Sequence, residues 1–223
     1  MKKHIVCFGD SNTHGYCADP ADCADGGDRF NESERWPCLL QNLLGDEYHV
    51  IEEGLSGRTS VFDDPIHGGL AGIDYIGPCL MSHEPVDLLI IMLGTNDTKE
   101  RFGLTAKLIG IAMQRLIRQA RSTLCWGGKE PNILLVCPPP IGEQLNDPGM
   151  GNGCAAKSKE LPPHYAETAA LTGAHFMDAA DCEFNKIDFM HLTRAGHDRL
   201  AHKIAAYFGM AIEEVFLFEE EIK

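Results

Sequence analysis

The amino-acid sequence predicts an α/β fold in which helices cover both faces of a parallel sheet. Residues 87–93 (DLLIIML) and 133–137 (ILLVC) are almost entirely apolar, as strands buried on both faces would be. Such short runs alternate along the chain with longer segments whose apolar residues have helical spacing, which is the pattern of βαβ units. There is no linker, internal repeat or low-complexity tract, so we interpret residues 1–223 as a single domain.

The remaining elements follow from the same patterns. Shorter apolar runs predict three further strands, at residues 4–8, 48–52 and 174–178. Apolar residues at helical spacing predict three helices, at residues 36–44, 105–122 and 157–171. Gly45 ends the first of these helices, and Thr193 is placed to cap a last helix that reaches residue 208.

Composition excludes several classes of function. The formal net charge of −14 argues against nucleic acid or an anionic membrane as partner, because both are polyanions. No apolar stretch approaches the length of a membrane span, and the run at residues 5–8 is too short for a secretory signal. The nine cysteines are scattered, without a C-x-x-C pair, which is typical of reduced thiols. We therefore expect a cytoplasmic protein, in which Cys17 and Cys23 could be exposed because they lie in a polar loop.

Four polar motifs follow predicted strands. They are GDSN at residues 9–12, GLSGRT at 54–59, GTND at 94–97 and, after a loop, DFMH at 188–191. In an open parallel sheet the active crevice lies beyond the carboxyl ends of the strands, so these distant motifs should meet at one edge. Each motif alone is common in ordinary turns, but their joint occurrence in this order indicates a catalytic site.

The residue types in these motifs are those that acyl transfer requires. Ser11, on a strand-to-helix turn, fits a nucleophile, and His191 fits the base that accepts its proton. Asp188 lies three residues before His191, so its carboxylate can hold the imidazole in one tautomer. The Ser11 and Gly57 N–H groups and the Asn96 side chain could stabilise an oxyanion.

Other polar residues near these motifs have structural interpretations. Asp10 is expected to accept hydrogen bonds from loop N–H groups, while Arg58 and Asp97 could form an ion pair that braces the loops. His197 lies close to the DFMH motif, but no Cys or Glu cluster completes the spacing of metal ligands, so we expect no metal site. Three aromatic residues could shape an apolar pocket or pack in the core: Phe30, Trp36 and Phe62.

The motifs GDSN, GLSGRT, GTND and DFMH resemble the four conserved blocks of the SGNH (GDSL-type) hydrolases. The segments RFNESERWPCLLQNLLG, VIEEGLSGRTSVFDDP, SHEPVDLLIIMLGTNDTKERF and HLTRAGH are similar to the arylesterase and acyltransferase branch of that family. The resemblance extends from the first strand to about residue 208. It implies a three-layer α/β/α sandwich, SGNH/flavodoxin-like, with a central parallel sheet of about five strands.

The resemblance also implies a function. It assigns the catalytic triad to Ser11, Asp188 and His191, and implies hydrolysis of short-chain acyl esters through an acyl-enzyme without a cofactor. Some members of the branch transfer the acyl group to alcohols or peroxide and assemble as homo-oligomers, which we expect here. Asn12 replaces the leucine often found in the family, and His14 replaces a tryptophan common in the branch, so both are candidate substrate-binding residues.

Two other functions stay open at this stage. A carbohydrate O-deacetylase would use the same triad on acetylated sugars. A non-catalytic module that binds acylated ligands is disfavoured by the complete triad and oxyanion donors. The sequence does not assign a role to the acidic C-terminal segment EEVFLFEEEIK.

Overall fold

A five-stranded parallel sheet forms the centre of the computed structural model, which describes the backbone of residues 1–220 and the side chains of residues 1–208. The strands are β1 (Lys3–Gly9), β2 (Tyr48–Gly54), β3 (Val86–Met92), β4 (Ile133–Cys137) and β5 (His175–Asp178). Their spatial order is β2-β1-β3-β4-β5, and every neighbouring pair is parallel. The carboxyl ends of all five strands therefore lie along one edge.

Seven α-helices connect or flank the strands in the described part of the chain. They are α1 (Ser11–His14), α2 (Trp36–Leu44), α3 (Gly72–Ser82), α4 (Ala106–Ser122), α5 (Cys154–Lys159), α6 (Leu161–Thr172) and α7 (Arg194–Glu220). Two short 3₁₀ turns, Asn96–Thr98 and Glu100–Phe102, follow β3.

The sheet separates two hydrophobic cores. Successive strand residues point to opposite faces, so in β1 Val6 and Phe8 face one core while Ile5 and Cys7 face the other. The first core is completed by buried residues of α3, α4 and α6, and the second by residues of α2 and α7. This three-layer α/β/α arrangement confirms the predicted fold class.

The boundaries of several elements differ from the sequence prediction. Residues 157–171 were expected to form one helix, but α5 and α6 divide at Glu160 because Pro162 and Pro163 suit only the first turn of a new helix. The helix α3 was not predicted, since it contains two glycines and Pro78. Thr193 caps α7 as predicted, with its hydroxyl accepting the Gly196 N–H at 3.0 Å, and the helix extends beyond residue 208 to Glu220.

The acidic segment EEVFLFEEEIK lies outside the residues whose side chains are described. None of the helices in the described part of the chain combines the length and the apolar character needed to cross a membrane.

Candidate active site

The turn after β1 presents Ser11 at the edge of the sheet. Asp10 caps α1 by accepting the Asn12 N–H at 3.0 Å, as predicted for this carboxylate. Gly9 is required here because a Cβ atom on it would lie 2.0 Å from the hydroxyl oxygen of Thr13. The tight turn leaves Ser11 as the first residue of α1, largely buried but open to a cavity.

A chain of hydrogen bonds joins Ser11 to two residues from the far end of the sequence. His191 Nε2 lies 2.8 Å from Ser11 Oγ, and His191 Nδ1 lies 2.6 Å from Asp188 Oδ2. Asp188 Oδ1 also accepts the N–H groups of Met190 and His191, at 3.0 and 3.1 Å. Burial alone would raise the pKa of Asp188, but these hydrogen bonds and the imidazole lower it to about 2. Asp188 is therefore ionised at neutral pH.

Backbone geometry and one further side chain shape the turn at residues 188–191. Phe189 has a φ of 58°, a left-handed conformation that L-residues rarely adopt, and so it reverses the chain between Asp188 and His191. The amide group of Asn185 accepts the N–H groups of Ile187 and Asp188, both at 2.9 Å, and donates to the His191 carbonyl at 2.8 Å. Asn185 was not predicted, because nothing in the sequence distinguishes it from an ordinary loop asparagine.

The proposed oxyanion donors line the same cavity as the Ser11 hydroxyl. A cavity of about 430 Å³ is lined by Ser11, Gly57, Asn96 and His191, among others. Asn96 begins the 3₁₀ turn after β3, and its Nδ2 lies 3.5 Å from Asp10 Oδ2. Burial raises the pKa of Asp10 to about 6.

Buried polar contacts fix the loops that carry these donors. The Asp97 carboxylate accepts the Ser60 N–H at 3.0 Å and also its hydroxyl, which joins the turn after β3 to the loop after β2. Arg58 donates to the carbonyls of Gly9, at 2.9 Å, and Glu53, and its guanidinium stacks 4.2 Å from the ring of Phe8. The predicted ion pair between Arg58 and Asp97 is therefore wrong, although both residues brace the loops.

The structure places the two candidate substrate-binding residues away from the cavity. Asn12 is 1% exposed, and its Oδ1 accepts the Leu192 N–H at 2.9 Å, so it ties α1 to the segment that carries His191. His14 ends α1, where its carbonyl accepts Arg29 Nε at 2.9 Å, and burial lowers the pKa of its imidazole. Neither side chain lines the cavity.

Other cavity residues were not predicted. The ring of Tyr16 packs against that of His191, with centroids 4.5 Å apart, and covers one side of the imidazole. Lys99 and Arg101 form a cationic wall behind which Asp64 is completely buried. The rest of the lining includes both polar and apolar side chains, among them His67, Leu70, Asp147, Met150 and Met190.

Two cysteines and three aromatic residues considered in the sequence analysis do not line the cavity. Cys17 and Cys23 are 2% and 5% exposed and pack together with Phe30, so the idea that these thiols could be exposed is wrong. Trp36 belongs to the core between the sheet and α7. Phe62 packs against Phe102, with ring centroids 6.1 Å apart.

One group of possible metal ligands occurs within the described residues. The ligand atoms of Glu53, Cys79 and His83 lie within 4.8 Å of one another, outside the cavity that holds Ser11. His83 Nε2 and Glu53 Oε1 are hydrogen-bonded at 2.7 Å. Burial raises the pKa of the Cys79 thiol to about 12.

Comparison with known proteins identifies the family of this chain. A sequence model of the GDSL-like lipase/acylhydrolase family matches residues 7–199, which is most of the chain. The chain belongs to the GDSL-like lipase/acylhydrolase family. The resemblance to the SGNH hydrolases is therefore confirmed.

Solved structures of similar proteins share the fold of this GDSL-family chain over nearly its whole length. A carbohydrate acetylesterase from Sinorhizobium meliloti is 38% identical, with a TM-score of 0.83 over 94% of this chain and 100% of that one. The aryl esterase of M. smegmatis is 35% identical, with a TM-score of 0.82 over 93% of this chain and 99% of that one.

A curated relative is more distant. The acetylxylan esterase of Xylanibacter ruminicola is 26% identical over 222 residues, which cover 91% of this chain and 42% of the relative. This GDSL-family chain thus spans less than half the length of the curated relative that it matches.

Proposed function

We propose that this protein is a carboxylic ester hydrolase that cleaves short-chain acyl esters, with Ser11 as nucleophile. The observation that carries the proposal is the hydrogen-bonded chain from Asp188 through His191 to Ser11, which ends in a cavity. The membership of the GDSL family and the esterase names of its structural neighbours support the same activity. No step of this reaction calls for a cofactor.

The reaction begins with attack of Ser11 Oγ on the ester carbonyl carbon while His191 Nε2 accepts the hydroxyl proton. The Asp188 carboxylate, ionised and bonded to Nδ1, stabilises the imidazolium that forms. The carbon–oxygen bond of the ester then breaks, and His191 gives the proton to the leaving alcohol. Water attacks the resulting acyl-enzyme by the same route, with His191 again as base.

The tetrahedral oxyanion would be stabilised by the N–H groups of Ser11 and Gly57 and by Asn96 Nδ2. The support for this role is that Ser11, Gly57 and Asn96 all line the same cavity. Asp10 accepts from Asn96 at 3.5 Å and so limits the orientations of the amide. An Asn96→Ala variant should lower kcat by on the order of 10²–10³, as the loss of other oxyanion donors does.

A carbohydrate O-deacetylase is the second candidate, because several polar side chains line the cavity. Ser56, His67, Lys99, Arg101 and Asp147 could hydrogen-bond the hydroxyl groups of a sugar. Two of the relatives are named as esterases of acetylated carbohydrate or xylan. Rates with acetylated xylose oligomers and with phenyl acetate, measured side by side, would separate the two activities.

Acyl transfer to alcohols or peroxide is a further possible use of the same acyl-enzyme. Adding an alcohol during hydrolysis of phenyl acetate should then raise the yield of the new ester at the expense of acetate. A module that only binds acylated ligands would give neither product.

The central experiment is covalent labelling combined with burst kinetics. An aryl phosphonate should label Ser11, and an activated acetate should give a burst of one phenol per active site. Ser11→Ala should abolish both, whereas Ser56→Ala, which removes a different hydroxyl from the same cavity, should still be labelled. Full esterase activity in Ser11→Ala, or labelling of another residue, would contradict the proposal.

A further inference from the structure

Lys99 is a nearly buried cation that faces the cavity with most of its hydrogen-bonding capacity unused. Its side chain is 8% exposed, and the residue lines the cavity that holds Ser11. Within residues 1–208, Asp64 Oδ2, at 3.3 Å, is the single acceptor for its three N–H donors. An ammonium removed from water is costly unless other groups replace its hydration.

The carboxylate next to Lys99 is already occupied by a stronger partner. Arg101 donates Nε to Asp64 Oδ1 at 3.0 Å and Nη2 to Asp64 Oδ2 at 2.6 Å, a bidentate pair. The third donor of Arg101, Nη1, binds the Gly149 carbonyl. Asp64 is fully buried, and its hydrogen bonds with Arg101 hold the pKa of its carboxyl well below the usual range. The Asp64 carboxylate thus pairs with two cations, Lys99 and Arg101.

Lys99 is the member of this cluster that can reach a substrate. The hydrogen bonds of Arg101 hold it between Asp64 and the loop at Gly149, whereas the weaker bond of Lys99 leaves its ammonium available. Asp147 also lines the cavity, but it is exposed and accepts the Gly149 N–H at 2.7 Å. Burial raises the pKa of Asp97, and the charge of Lys99 opposes this rise, but the hydrogen bonds of the Asp97 carboxylate go to Ser60 and not to Lys99. The Lys99 ammonium thus keeps unused donors three residues after the proposed oxyanion donor Asn96.

We propose that Lys99 is a specificity-determining residue that binds an anionic oxygen group of the ester, such as a carboxylate. Ser11 and Lys99 line the same cavity, so this group is attached either to the acyl chain or to the leaving alcohol, and the test below distinguishes the two. The inference rests on the proposed esterase function and names the class of ester that the site prefers. A hydrogen bond between two ionised groups is roughly twice as strong as one between neutral groups, which is the physical source of the preference.

The test compares matched esters that differ in charge. For the leaving group, meta-acetoxybenzoate is paired with the neutral meta-acetoxybenzamide. For the acyl chain, phenyl hydrogen succinate is paired with phenyl pentanoate, and the uncatalysed rate is subtracted. The measured quantity is the ratio of kcat/KM for the charged and neutral members. Because each ratio is compared between enzyme variants, differences in the intrinsic reactivity of the esters cancel.

Lys99→Met, which keeps the length of the side chain and removes the charge, should lower the charged-to-neutral ratio at least about tenfold in one of the two pairs. The pair that responds identifies the side of the ester that carries the anion. Lys99→Arg should keep most of the preference, and Lys107→Met, a change at an exposed lysine, should keep all of it. Burst amplitude counts the active sites in each preparation, so partial misfolding does not affect the ratio.

A ratio that changes less than threefold in both pairs would overturn the role of Lys99. If Ser11→Ala hydrolyses these esters as fast as the unmodified protein, the proposed esterase function fails instead. The two failures are therefore distinguishable.

Discussion

Acidification should destabilise this protein through His197, a histidine of α7 that is completely buried. Its Nδ1 lies 3.2 Å from the Trp36 N–H and accepts that hydrogen bond, and its ring packs edge-on to Phe30 at 4.9 Å. Burial, with smaller effects from the charges of His191 and Arg35, lowers the pKa of His197 from 6.5 to about 3. The folded protein thus keeps this imidazole neutral, whereas the unfolded chain protonates it below pH 6.5.

The magnitude follows from proton linkage. Between pH 6.5 and 3 the unfolded state binds one proton more than the folded state, so the free energy of unfolding falls as the pH falls. Between pH 7.5 and 5 the loss due to His197 is about 2 kcal/mol. Asp10 acts in the opposite direction, since its pKa is raised to about 6 and its folded form takes up the extra proton on acidification.

Urea denaturation at pH 7.5 and pH 5 measures this effect in matched variants. His197→Asn keeps an acceptor near the Trp36 N–H but does not titrate, so its loss of stability over this range should be about 2 kcal/mol smaller than that of the unmodified protein. Its stability at pH 7.5 will be lower because the packing on Phe30 is lost, and only the difference between the two pH values is compared. His202→Asn, an exposed change in the same helix, should leave the pH dependence intact.

The Asp10 contribution is common to all three proteins and cancels from the comparison. Equal pH dependence in His197→Asn and the unmodified protein would refute the reasoning. It would mean that His197 is protonated in the folded state at pH 5, despite its burial.

Three further predictions concern the site and its loops. Asp188→Asn should lower kcat for phenyl acetate by about 10⁴, because the amide no longer holds His191 in the productive tautomer; a loss below tenfold would contradict the assigned role. Gly54→Ala should destabilise the protein in urea by at least about 1–3 kcal/mol, since the new Cβ would lie 2.2 Å from a backbone nitrogen of α1. Gly68→Ala, with nothing within 4 Å, is its control and should be neutral. Tyr16→Leu should lower kcat about two- to tenfold through lost ring packing, whereas Tyr16→Phe should not; equal loss in both would point to the hydroxyl instead.

The strand ends were the most predictable part of the molecule. Ser11, Gly57 and Asn96 each follow a strand whose apolar run can be recognised locally, and parallel pairing then brings those strand ends to one edge. His191 follows a long loop after β5 and not the end of a strand. Its position at the same edge could therefore be inferred only from the DFMH motif, in which Asp188 lies three residues before it. The distance of 2.8 Å between His191 Nε2 and Ser11 Oγ is a tertiary result that no local pattern contains.

The cationic wall was not predictable for a related reason. Lys99 and Arg101 are ordinary surface residue types, and Asp64 lies in a different loop with no recognisable motif. Only the fold places both cations on one carboxylate, at 2.6 and 3.3 Å.

The helix α3 was not predicted because its glycines and Pro78 lower its helical propensity. Burial of Ile76 and Leu80 in the core outweighs that cost.

Asn12 shows why proximity in sequence to a nucleophile does not make a residue a substrate contact. In a helical turn, successive side chains point about 100° apart, so a residue next to Ser11 is directed away from the cavity that the serine faces. Asn12 instead holds Leu192 at 2.9 Å, and this bond joins two segments that are 180 residues apart. The bond joins the residues next to Ser11 and His191 and so helps to set the distance between them, and a misplacement of about 1 Å can cost on the order of 10²-fold in rate. Asn12 therefore acts on the site through the position of the His191 segment, and not through a contact with the substrate.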